Sequence, residues 1–458
     1  MTPSVVLGQP PADAPHVAVA IVGAGACGLV AAIHLRDAGL DCLVLERDAK
    51  PAGSTALSSG FIPAPGTLAQ RAAGVEDSVA LFAKDIQTKA HDTAAAHLVQ
   101  AYASQIGPTL DHLQTRHGLA WEVLDGFLYP GHSVRRMHTL PQKTGAALVA
   151  ALERTALAAG ADVLTQATVR QLLVDPDQRI TGLAYARPDG QVEYLRCDAL
   201  ILACNGFGGN AQMVQTLLPE MRDALFAGHA GNDGSAIAWG QALGARLADL
   251  GGYQGHGSWA IPQGALISWA LMMEGGVQLN AKGERFHDET QGYSEAAVHV
   301  LAQPGSVAWN VFDDRILALA RQFPDFVDAE KAGVLKTCPD LPSLATLMGC
   351  NATYLEANLS NGICRNGKLS LQSAPYHAIK VTGALFHTQG GLDIDAHCRV
   401  LRADGSPFPN LLAAGGAARG VSGNAVWGYL SGNGLLSAVA GGAIAASSAQ
   451  AAINTLNT

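Results

Sequence analysis

The chain has 458 residues, of which 48% are hydrophobic and 15% charged, and its formal net charge is −9. This length and apolar content suit a two-domain α/β enzyme and exclude a disordered or fibrous chain. Because the balance is acidic and no block of basic residues occurs, nucleic acid is excluded as the main partner.

Signals for a membrane or a secretory route are weak. The first fifteen residues, MTPSVVLGQPPADAP, lack a basic segment and a long apolar core, so we predict a loose tail and not a signal peptide. No apolar run reaches the roughly 18 residues of a membrane span, and residues 435–446 are predicted to be a buried helix. The eight cysteines form no C-x-x-C pair, which favours reduced thiols in a cytoplasmic protein and predicts no metal site.

A strand, a glycine turn, a helix and a second strand occupy residues 16–47. Val17–Val22 and Leu40–Leu45 are short apolar runs typical of buried parallel strands. Leu29–Ala38 has helical composition, and Gly39 follows it as a helix C-terminal residue. The turn fits G-x-G-x-x-G, and a lone turn of this kind would be weak evidence. The complete order of parts predicts a nucleotide-binding βαβ unit.

Each part of this motif has a chemical task. Gly23 allows the tight turn, Gly25 lets the backbone approach a pyrophosphate, and Gly28 lets helix and strand pack closely. The N–H groups at the helix start offer the phosphates a positive dipole end. Glu46, 18 residues after Gly28, is placed to bind ribose hydroxyls. The predicted nucleotide contacts here are Gly23, Gly25, Ala26, Cys27, Gly28, Glu46 and Arg47.

The segment that follows the ribose-binding acid is a loop rich in Gly, Ser and Pro. Residues 47–65 read RDAKPAGSTALSSGFIPAP. Small hydroxyl residues and glycines would let this loop come close to a flat ligand, although an ordinary surface loop is the alternative. The predicted contacts are Ser54, Thr55, Ser58, Ser59 and Gly60.

Two later segments repeat the pattern of strand and glycine turn. Residues 199–209, ALILACNGFGG, are predicted to return the chain to the nucleotide. Residues 410–416, NLLAAGG, form a last strand, and an apolar helix from Leu435 follows a glycine-rich loop, which makes another anion site. The predicted contacts are Asn205, Gly206, Gly415, Asn433, Gly434, Leu435 and Leu436.

Two helix N-termini, one near each end of the sequence, would then face one ligand. This arrangement suits a resident dinucleotide such as FAD, bound non-covalently, better than a transient nicotinamide, and no second G-x-G-x-x-G with strand and acid is present. The later helix would stabilise negative charge on the reduced flavin. We predict an α/β fold: a Rossmann-like FAD-binding domain over residues 16–258 and 377–450, with an inserted α+β capping (substrate) domain over residues 259–376.

Six segments together resemble the fumarate reductase and 3-ketosteroid dehydrogenase group of FAD enzymes. They are VGAGACGLVAAIHL with LER, GSTALSSGFIPAPG, LILACNGFGGN, GERFHDE, GALFHTQGGLDID and LLAAGGAARGVSGN with YLSGNGLL. The resemblance covers Val17 to Ala446. It implies a cap that closes over the substrate and the interconversion of a C–C single and double bond beside a carbonyl. One hydrogen moves as hydride to or from flavin N5 and the other as a proton.

The two branches of this group differ where they hold the substrate. The fumarate branch has an arginine four residues after the Glu of R-F-x-x-E and another just before its late L-x-G-N turn, which suits dicarboxylates. Here Tyr293 and Tyr429 stand at those positions, as in the ketosteroid branch. His256 and His387 resemble the fumarate branch instead, and Gly416 stands where the family often has Glu. The tyrosines favour a ketone over a dicarboxylate.

Desaturating a ketone needs a base for the α-proton, a hydride acceptor and a donor to the ketone oxygen. We expect Tyr293 to take the proton, and Tyr429 to polarise the carbonyl with a backbone N–H near Gly434. His256 and His387 are candidates for substrate contact or proton relay. The alternatives are a loop aromatic at 293, a core aromatic at 429 and structural histidines.

The predicted enzyme is an FAD-dependent dehydrogenase acting on CH–CH groups. It introduces a C=C bond α,β to a ring ketone, either a 3-ketosteroid or a smaller oxocyclohexane carboxylate whose charge Arg135, Arg136 or Arg419 could bind. The alternatives are a fumarate- or urocanate-type enoate reductase and a flavin-binding protein without turnover. No C-x-x-C-H haem site is present, so an unknown partner, quinone or oxygen must accept electrons.

Overall fold

The computed structural model describes residues 3–125, 128–359, 364–365, 368–369, 371 and 373–456. The strands, in chain order, are β1 (Ser4–Leu7), β2 (His16–Val22), β3 (Cys42–Leu45), β4 (Ile62–Pro63), β5 (Glu122–Val123), β6 (Met137–Thr139), β7 (Asp162–Leu164), β8 (Thr168–Val174), β9 (Ile180–Ala186), β10 (Val192–Leu202), β11 (Leu225–Phe226), β12 (Leu247–Ala248), β13 (Tyr253–Ala260), β14 (Ala265–Leu266), β15 (Val277–Leu279), β16 (Ala308–Asp313), β17 (Lys336–Cys338), β18 (Cys364–Arg365), β19 (Lys368–Leu369), β20 (Tyr376–Thr388), β21 (Gly391–Leu392), β22 (Arg399–Leu401) and β23 (Pro407–Ala413). The helices are α1 (Ala26–Asp37), α2 (Gly53–Ala56), α3 (Leu68–Ala72), α4 (Val79–Lys89), α5 (Ala96–His117), α6 (Gly145–Ala158), α7 (Ala211–Leu217), α8 (Ser235–Leu243), α9 (Ala270–Met273), α10 (Tyr293–Leu301), α11 (Asp314–Ala320), α12 (Pro324–Lys331), α13 (Leu341–Met348), α14 (Ala352–Leu359) and α15 (Asn433–Leu456).

The chain divides into two compact units. The first comprises Met1–Leu217, Gly228–Tyr253 and His387–Thr458, and the second Leu218–Ala227 and Gln254–Phe386. The limits expected from the sequence, after residues 258 and 376, lie in the same two strands, β13 and β20, but at other positions along them. A further segment, 218–227, also joins the second unit, where β11 pairs with β20. A change in composition along the chain therefore does not mark these limits.

The first unit is built on a nine-stranded sheet with the order β1-β8-β9-β10-β2-β3-β7, in which β23 pairs with β10 and β22 with β23. The neighbours β10, β2, β3 and β7 run parallel. Val19, Ala20 and Ile21 are completely buried, because a parallel strand at the centre of a sheet is covered on both faces. The two apolar runs of the βαβ motif are thus adjacent strands, as expected.

The expected loose N-terminal tail is wrong for residues 4–7. They form β1, which pairs in parallel with β8, and Gly8 N donates to Val174 O at 2.8 Å. Backbone hydrogen bonds hold this strand, while the side chains of Val6 and Leu7 remain exposed. A four-residue edge strand held in this way leaves no apolar periodicity in the sequence.

Helix α15 is the central helix of the first unit and packs on α1 and α5. Where it passes α1, a Cβ on Gly442 would lie 2.4 Å from the carbonyl oxygen of Cys27, so only glycine permits this approach. By length and composition, Asn433–Asn454 could cross a membrane, but 61% of its most apolar 18-residue stretch is buried inside the protein. Its apolar character is thereby accounted for by a core helix, as predicted for residues 435–446.

The second unit contains a seven-stranded sheet of the order β14-β13-β20-β16-β15, with β11 and β17 also paired to β20. Strand β16 lies antiparallel to both β15 and β20. Helices α13 and α14 pack on this sheet through a small core that includes Val277, Val311 and Leu344. This mixture of helices and a largely antiparallel sheet is the expected α+β arrangement.

Candidate functional site

The glycine turn between β2 and α1 has the backbone geometry that the motif predicts. Gly23 has φ +106°, and a Cβ there would lie 2.6 Å from the carbonyl oxygen of Ala203 at the end of β10. A Cβ on Gly28 would lie 1.9 Å from the carbonyl oxygen of Gly23. The turn can therefore pass close to β10 and to the start of α1 only with glycine at both positions.

Glu46 closes this turn from the end of β3. Its carboxylate is 6% exposed and accepts hydrogen bonds from Ala24 N at 2.8 Å and from Asp48 N at 2.9 Å. Each carboxylate oxygen retains lone pairs for a ribose hydroxyl. Thr55 lies at the helix start, where its hydroxyl accepts from Ala26 N at 3.1 Å. The structure thus brings the predicted acid, the helix N-terminus and the hydroxyl loop together.

A group of polar side chains links the hydroxyl loop to the turn after β10. Ser54 Oγ accepts from Asn205 Nδ2 at 3.0 Å and from Asn232 Nδ2 at 2.9 Å. Asn205 has φ +67° and its Oδ1 accepts from Gly206 N at 2.9 Å. Sequence reasoning did not identify Asn232, because it follows no motif and approaches Ser54 from 178 residues away.

Other predicted contacts have structural partners in the first unit. Arg47 donates to Gly231 O at 2.8 Å and pairs with Asp233 at 3.1 Å. Ser58 Oγ donates to Thr55 O and accepts from Gly60 N, so it shapes the loop, and Ser59 is half-buried. Gly415 (φ +60°) lies against Cys27, and the side chain of Leu436 is fully buried in the core, whereas Leu435 is half-buried.

The first turns of α15 contain side-chain atoms that a flavin cofactor would satisfy. Asn433 Oδ1 and Ser437 Oγ are buried and have no hydrogen-bond partner among the residues that the structure describes. Buried polar atoms are normally paired, and FAD offers both donors and acceptors along its ribityl chain and pyrimidine edge. The residues present therefore fit FAD. Glu46 and the glycine turn would hold its ADP end, and the start of α15 would lie at its flavin end.

His387, Tyr429 and Gly434 meet at the start of α15. The rings of His387 and Tyr429 make an edge contact with centroids 5.6 Å apart. A Cβ on Gly434 would lie 2.8 Å from His387 Nε2 and 3.7 Å from Tyr429 Oη. Two side-chain donors therefore surround the bare backbone of Gly434.

Burial keeps the imidazole of His387 uncharged. It lowers the pKa of His387 to about 4, so the ring is neutral near pH 7. The pKa of Tyr129 is raised first by burial and then by its neighbour Tyr429. The arrangement at Gly434 consequently offers neutral hydrogen-bond donors and not a positive charge.

A chain of hydrogen bonds orients His387 from behind. Asn433 Nδ2 donates to Ser422 Oγ at 2.9 Å, and Ser422 Oγ donates to Gln389 Oε1 at 2.9 Å. Gln389 Nε2 lies 3.1 Å from His387 Nδ1, and Thr388 O lies 3.3 Å from the same nitrogen. Donation from the amide to Nδ1 would leave Nε2 to hold the ring proton. Gln389 and Ser422 were not identified from the sequence, because an amide and a hydroxyl in loops have no distinctive spacing.

In the second unit, Tyr293 and His256 form an aromatic cluster. Tyr293 is 8% exposed and begins α10, so the alternative of a loop aromatic is wrong. The His256 ring stacks on it with centroids 4.7 Å apart, and the rings of Trp269 and Phe386 also contact His256. Burial lowers the pKa of His256 to about 3.

The three arginines suggested for a substrate carboxylate are each paired with aspartate. Arg136 is completely buried and binds both Asp77, at 2.9 Å, and Asp85. Arg419 pairs with Asp249 at 2.6 Å and with Asp393 at 3.4 Å. Exposed Arg135 pairs with Asp125. The expectation that Arg136 binds a substrate carboxylate is therefore wrong, because two aspartates neutralise its guanidinium in the core. The same expectation loses its support for Arg135 and Arg419, which are also paired.

Comparison with known proteins extends these observations. The chain is 27% identical to a probable fumarate reductase of Shewanella frigidimarina, over 94% of this chain and 74% of the relative. It is 23% identical to the 4-oxocyclohexanecarboxylate 2-dehydrogenase of Sinomonas cyclohexanicum, over 94% of this chain and 95% of the relative. Its fold is similar to that of a 3-ketosteroid Δ4-(5α)-dehydrogenase from Rhodococcus jostii, with TM-score 0.77, 23% identity, and coverage of 98% of this chain and 99% of that one.

The family model described as the FAD binding domain matches residues 18–435, which is most of the chain. The matched segment contains the glycine turn, Glu46, the Ser54 group and the start of α15. The chain therefore belongs to the FAD-binding-domain family and is an FAD-dependent oxidoreductase.

Proposed function

We propose that the protein introduces a C=C bond α,β to a ring ketone. The observation that carries this proposal is the neutral donor set at the start of α15, formed by Tyr429, His387 and the backbone of Gly434. A ketone oxygen that becomes enolate-like needs hydrogen-bond donors aimed at the developing charge. A dicarboxylate would instead be recognised by guanidinium groups, and tyrosines stand at the two positions where the fumarate branch has arginine.

The roles of the side chains follow from their chemistry. Tyr429 Oη and His387 Nε2–H would donate to the ketone oxygen, and thereby make the α-proton more acidic. When bound, FAD supplies the hydride acceptor for the β-carbon. Tyr293 would take the α-proton, and its position at the N-terminus of α10 favours this role because the helix dipole stabilises a phenolate.

The substrate is proposed to be either a 3-ketosteroid or a smaller oxocyclohexane-type ketone. Because Arg135, Arg136 and Arg419 are paired with aspartates, these arginines give no support to a carboxylated ring over an uncharged one. The 4-oxocyclohexanecarboxylate dehydrogenase, which this chain matches along nearly its full length, keeps the small ring in consideration. Uncharged cyclohexanones, oxocyclohexane carboxylates and 3-ketosteroids should all be tested.

The decisive experiment uses the FAD-loaded enzyme without oxygen. Oxidised enzyme is mixed with ketones from these three classes, and dithionite-reduced enzyme with fumarate or urocanate. We expect at least one ketone to remove the absorbance of oxidised flavin. If ketones leave the flavin oxidised while an enoate reoxidises the reduced enzyme, the desaturase proposal is wrong.

Variants of the two tyrosines test the assigned roles. Tyr429→Phe should lower the rate of flavin reduction by about 10²–10³-fold, which is the usual cost of removing one donor to an oxyanion. Tyr293→Phe should lower the same rate by at least about 10²-fold. Tyr354→Phe is the matched control, because this exposed tyrosine of the second unit donates its hydroxyl hydrogen to Glu284 at the protein surface.

The second candidate function is enoate reduction of the fumarate or urocanate type. It is favoured by the fumarate reductase relative and by His256 and His387, which match that branch. The low pKa values of both histidines weigh against it, since neutral imidazoles bind a carboxylate less strongly than imidazolium.

We further propose that the protein works in the reducing cytoplasm, with a small-molecule or protein electron acceptor still to be identified. The seven cysteines whose side chains the structure describes are all free thiols, and the side chain of Cys364 lies outside the described residues. Free, mostly buried cysteines are typical of reducing compartments. Fractionation of cells with a compartment-specific antibody would test this location.

A further inference from the structure

Two helices of the first unit bring histidines and an aspartate together at the C-terminal end of α1. Asp37 is the last residue of α1, and α5 contributes His112 and His117 from its final turns. Asp37 Oδ2 lies 2.7 Å from His112 Nε2 and 2.8 Å from His117 Nε2. All three potential ligand atoms lie within 4.8 Å of one another.

We propose that Asp37, His112 and His117 form a site for a divalent transition-metal ion, with Zn²⁺ as the best match. Two imidazole nitrogens and one carboxylate oxygen are a common zinc ligand set, with a fourth position for water. Mg²⁺ and Ca²⁺ prefer oxygen ligands throughout, so the two nitrogens disfavour them. The sequence predicted no metal site because only the cysteine spacing was informative there.

The geometry requires only a small adjustment. Zinc–nitrogen and zinc–oxygen distances of about 2.0–2.1 Å place tetrahedral ligand atoms about 3.3 Å apart. The nitrogens must therefore move about 0.6 Å away from the carboxylate oxygen, which small side-chain rotations supply. The three side chains are half-buried, so they are partly fixed in position but remain open to an ion from solvent.

A second observation supports a ligand at this place. His34 lies one turn before Asp37, and its ring stacks on that of His112 with centroids 4.8 Å apart. His34 Nε2 is buried and has no hydrogen-bond partner among the described residues. His34 thus adds a buried imidazole with an unpaired nitrogen beside the three ligands, on a ring that contacts His112.

The site would fasten α1 to α5 across a long sequence separation. Asp37 and His112 are 75 residues apart, and an ion that binds only the folded arrangement stabilises it by mass action. The site lies about 17 Å along α1 from the helix N-terminus, given the rise of about 1.5 Å per residue. Metal binding can therefore be measured without interference from FAD.

Arg116 provides a diagnostic feature of the site. Its Nε donates to Asp37 Oδ1 at 2.8 Å, so its positive charge competes with a bound cation. In a cluster that only stabilises the fold, removing Arg116 weakens the cluster. In a metal site, Arg116→Gln should leave zinc affinity unchanged or tighten it.

The test is calorimetric titration of chelator-treated, FAD-loaded enzyme with ZnCl₂. We expect one ion per chain, a rise in the thermal unfolding midpoint, and a loss of affinity of more than about 100-fold in the double variant H112Q/H117Q. The matched control is His16→Gln, which disrupts an exposed pair with Asp198 and should leave binding unchanged. Flavin absorbance verifies the folding of each variant.

The outcomes separate the alternatives. If the parent enzyme binds no zinc, or H112Q/H117Q binds it as tightly as His16→Gln, the site is refuted. If the double variant fails to fold, Asp37→Asn and Arg116→Gln replace it. The site is supported if zinc affinity falls by at least about tenfold in Asp37→Asn and is undiminished in Arg116→Gln. It is overturned if Asp37→Asn keeps its affinity and Arg116→Gln loses it.

Discussion

Gln389 is expected to control catalysis through His387 without touching the substrate. The change Gln389→Leu preserves the approximate size of the side chain but removes the amide that donates to His387 Nδ1 at 3.1 Å. Thr388 O, 3.3 Å from the same nitrogen, then remains as a partner. Because a carbonyl oxygen can only accept, the proton should move to Nδ1, and Nε2 would lose its ability to donate.

The magnitude follows from two limits. A single neutral hydrogen bond contributes about 0.5–1.5 kcal/mol, which shifts the balance between the two ring tautomers by roughly tenfold or less. Complete loss of a donor to the developing oxyanion costs about 10²–10³-fold. We therefore expect kcat/KM for the ketone to fall by between about 2-fold and 10³-fold, mainly through kcat.

Stopped-flow reduction of the flavin by the ketone measures this effect. Nitrogen NMR of labelled histidine reports directly which ring nitrogen holds the proton in each variant. Gln100→Leu, an exposed glutamine bonded to Ser104 on α5, is the control and should behave as the parent. A folded, FAD-loaded Gln389→Leu enzyme with parental kcat/KM and an unchanged tautomer would refute the reasoning.

Three further perturbations have defined outcomes. Arg136→Met should lower the free energy of unfolding by about 3–5 kcal/mol, because two buried aspartates lose their counter-ion. The exposed control Arg135→Gln should change it by less than about 0.5 kcal/mol. Equal effects of the two variants in urea denaturation would contradict this prediction. Gly28→Ala should abolish FAD binding, since its Cβ would lie 1.9 Å from a carbonyl oxygen. Gly39→Ala, with open space around it, should keep FAD and lower the free energy of unfolding by about 1 kcal/mol. Flavin retained in Gly28→Ala would be inconsistent with this geometry. The buried neutral His256 stabilises the folded state fully above its unfolded pKa of 6.5, and this contribution is lost as the pH falls towards about 3. The free energy of unfolding should therefore fall less steeply with acid in His256→Gln than in the parent. Identical pH dependence in the two proteins would argue against this role of His256.

A binding motif could be predicted from the sequence where one short segment contains all of its residues. The first βαβ unit is of this kind, because the spacing of Gly23, Gly28 and Glu46 along about 25 residues already specifies turn, helix and acid. The buried start of the last helix was also predicted correctly. In both places neighbouring residues in sequence are neighbours in space.

Partners that come from distant segments were not predictable. Asn232 reaches Ser54, and Ser422 reaches Gln389, through loops whose course the sequence does not reveal. The aspartates that neutralise Arg136 are likewise 51 and 59 residues away. Pairing between such residues depends on tertiary packing, which leaves no periodic pattern in the chain.

The contact between Cys27 and Gly442 couples two helices that are proposed to bind different ends of FAD. Helix α1 begins at the glycine turn and α15 begins at Asn433, and a Cβ on Gly442 would not fit where the two helices cross. Any drift in one helix would displace the other, so these two regions can change over evolution only in concert. Specificity for new substrates would have to arise from residues outside that crossing, such as those at positions 293 and 429.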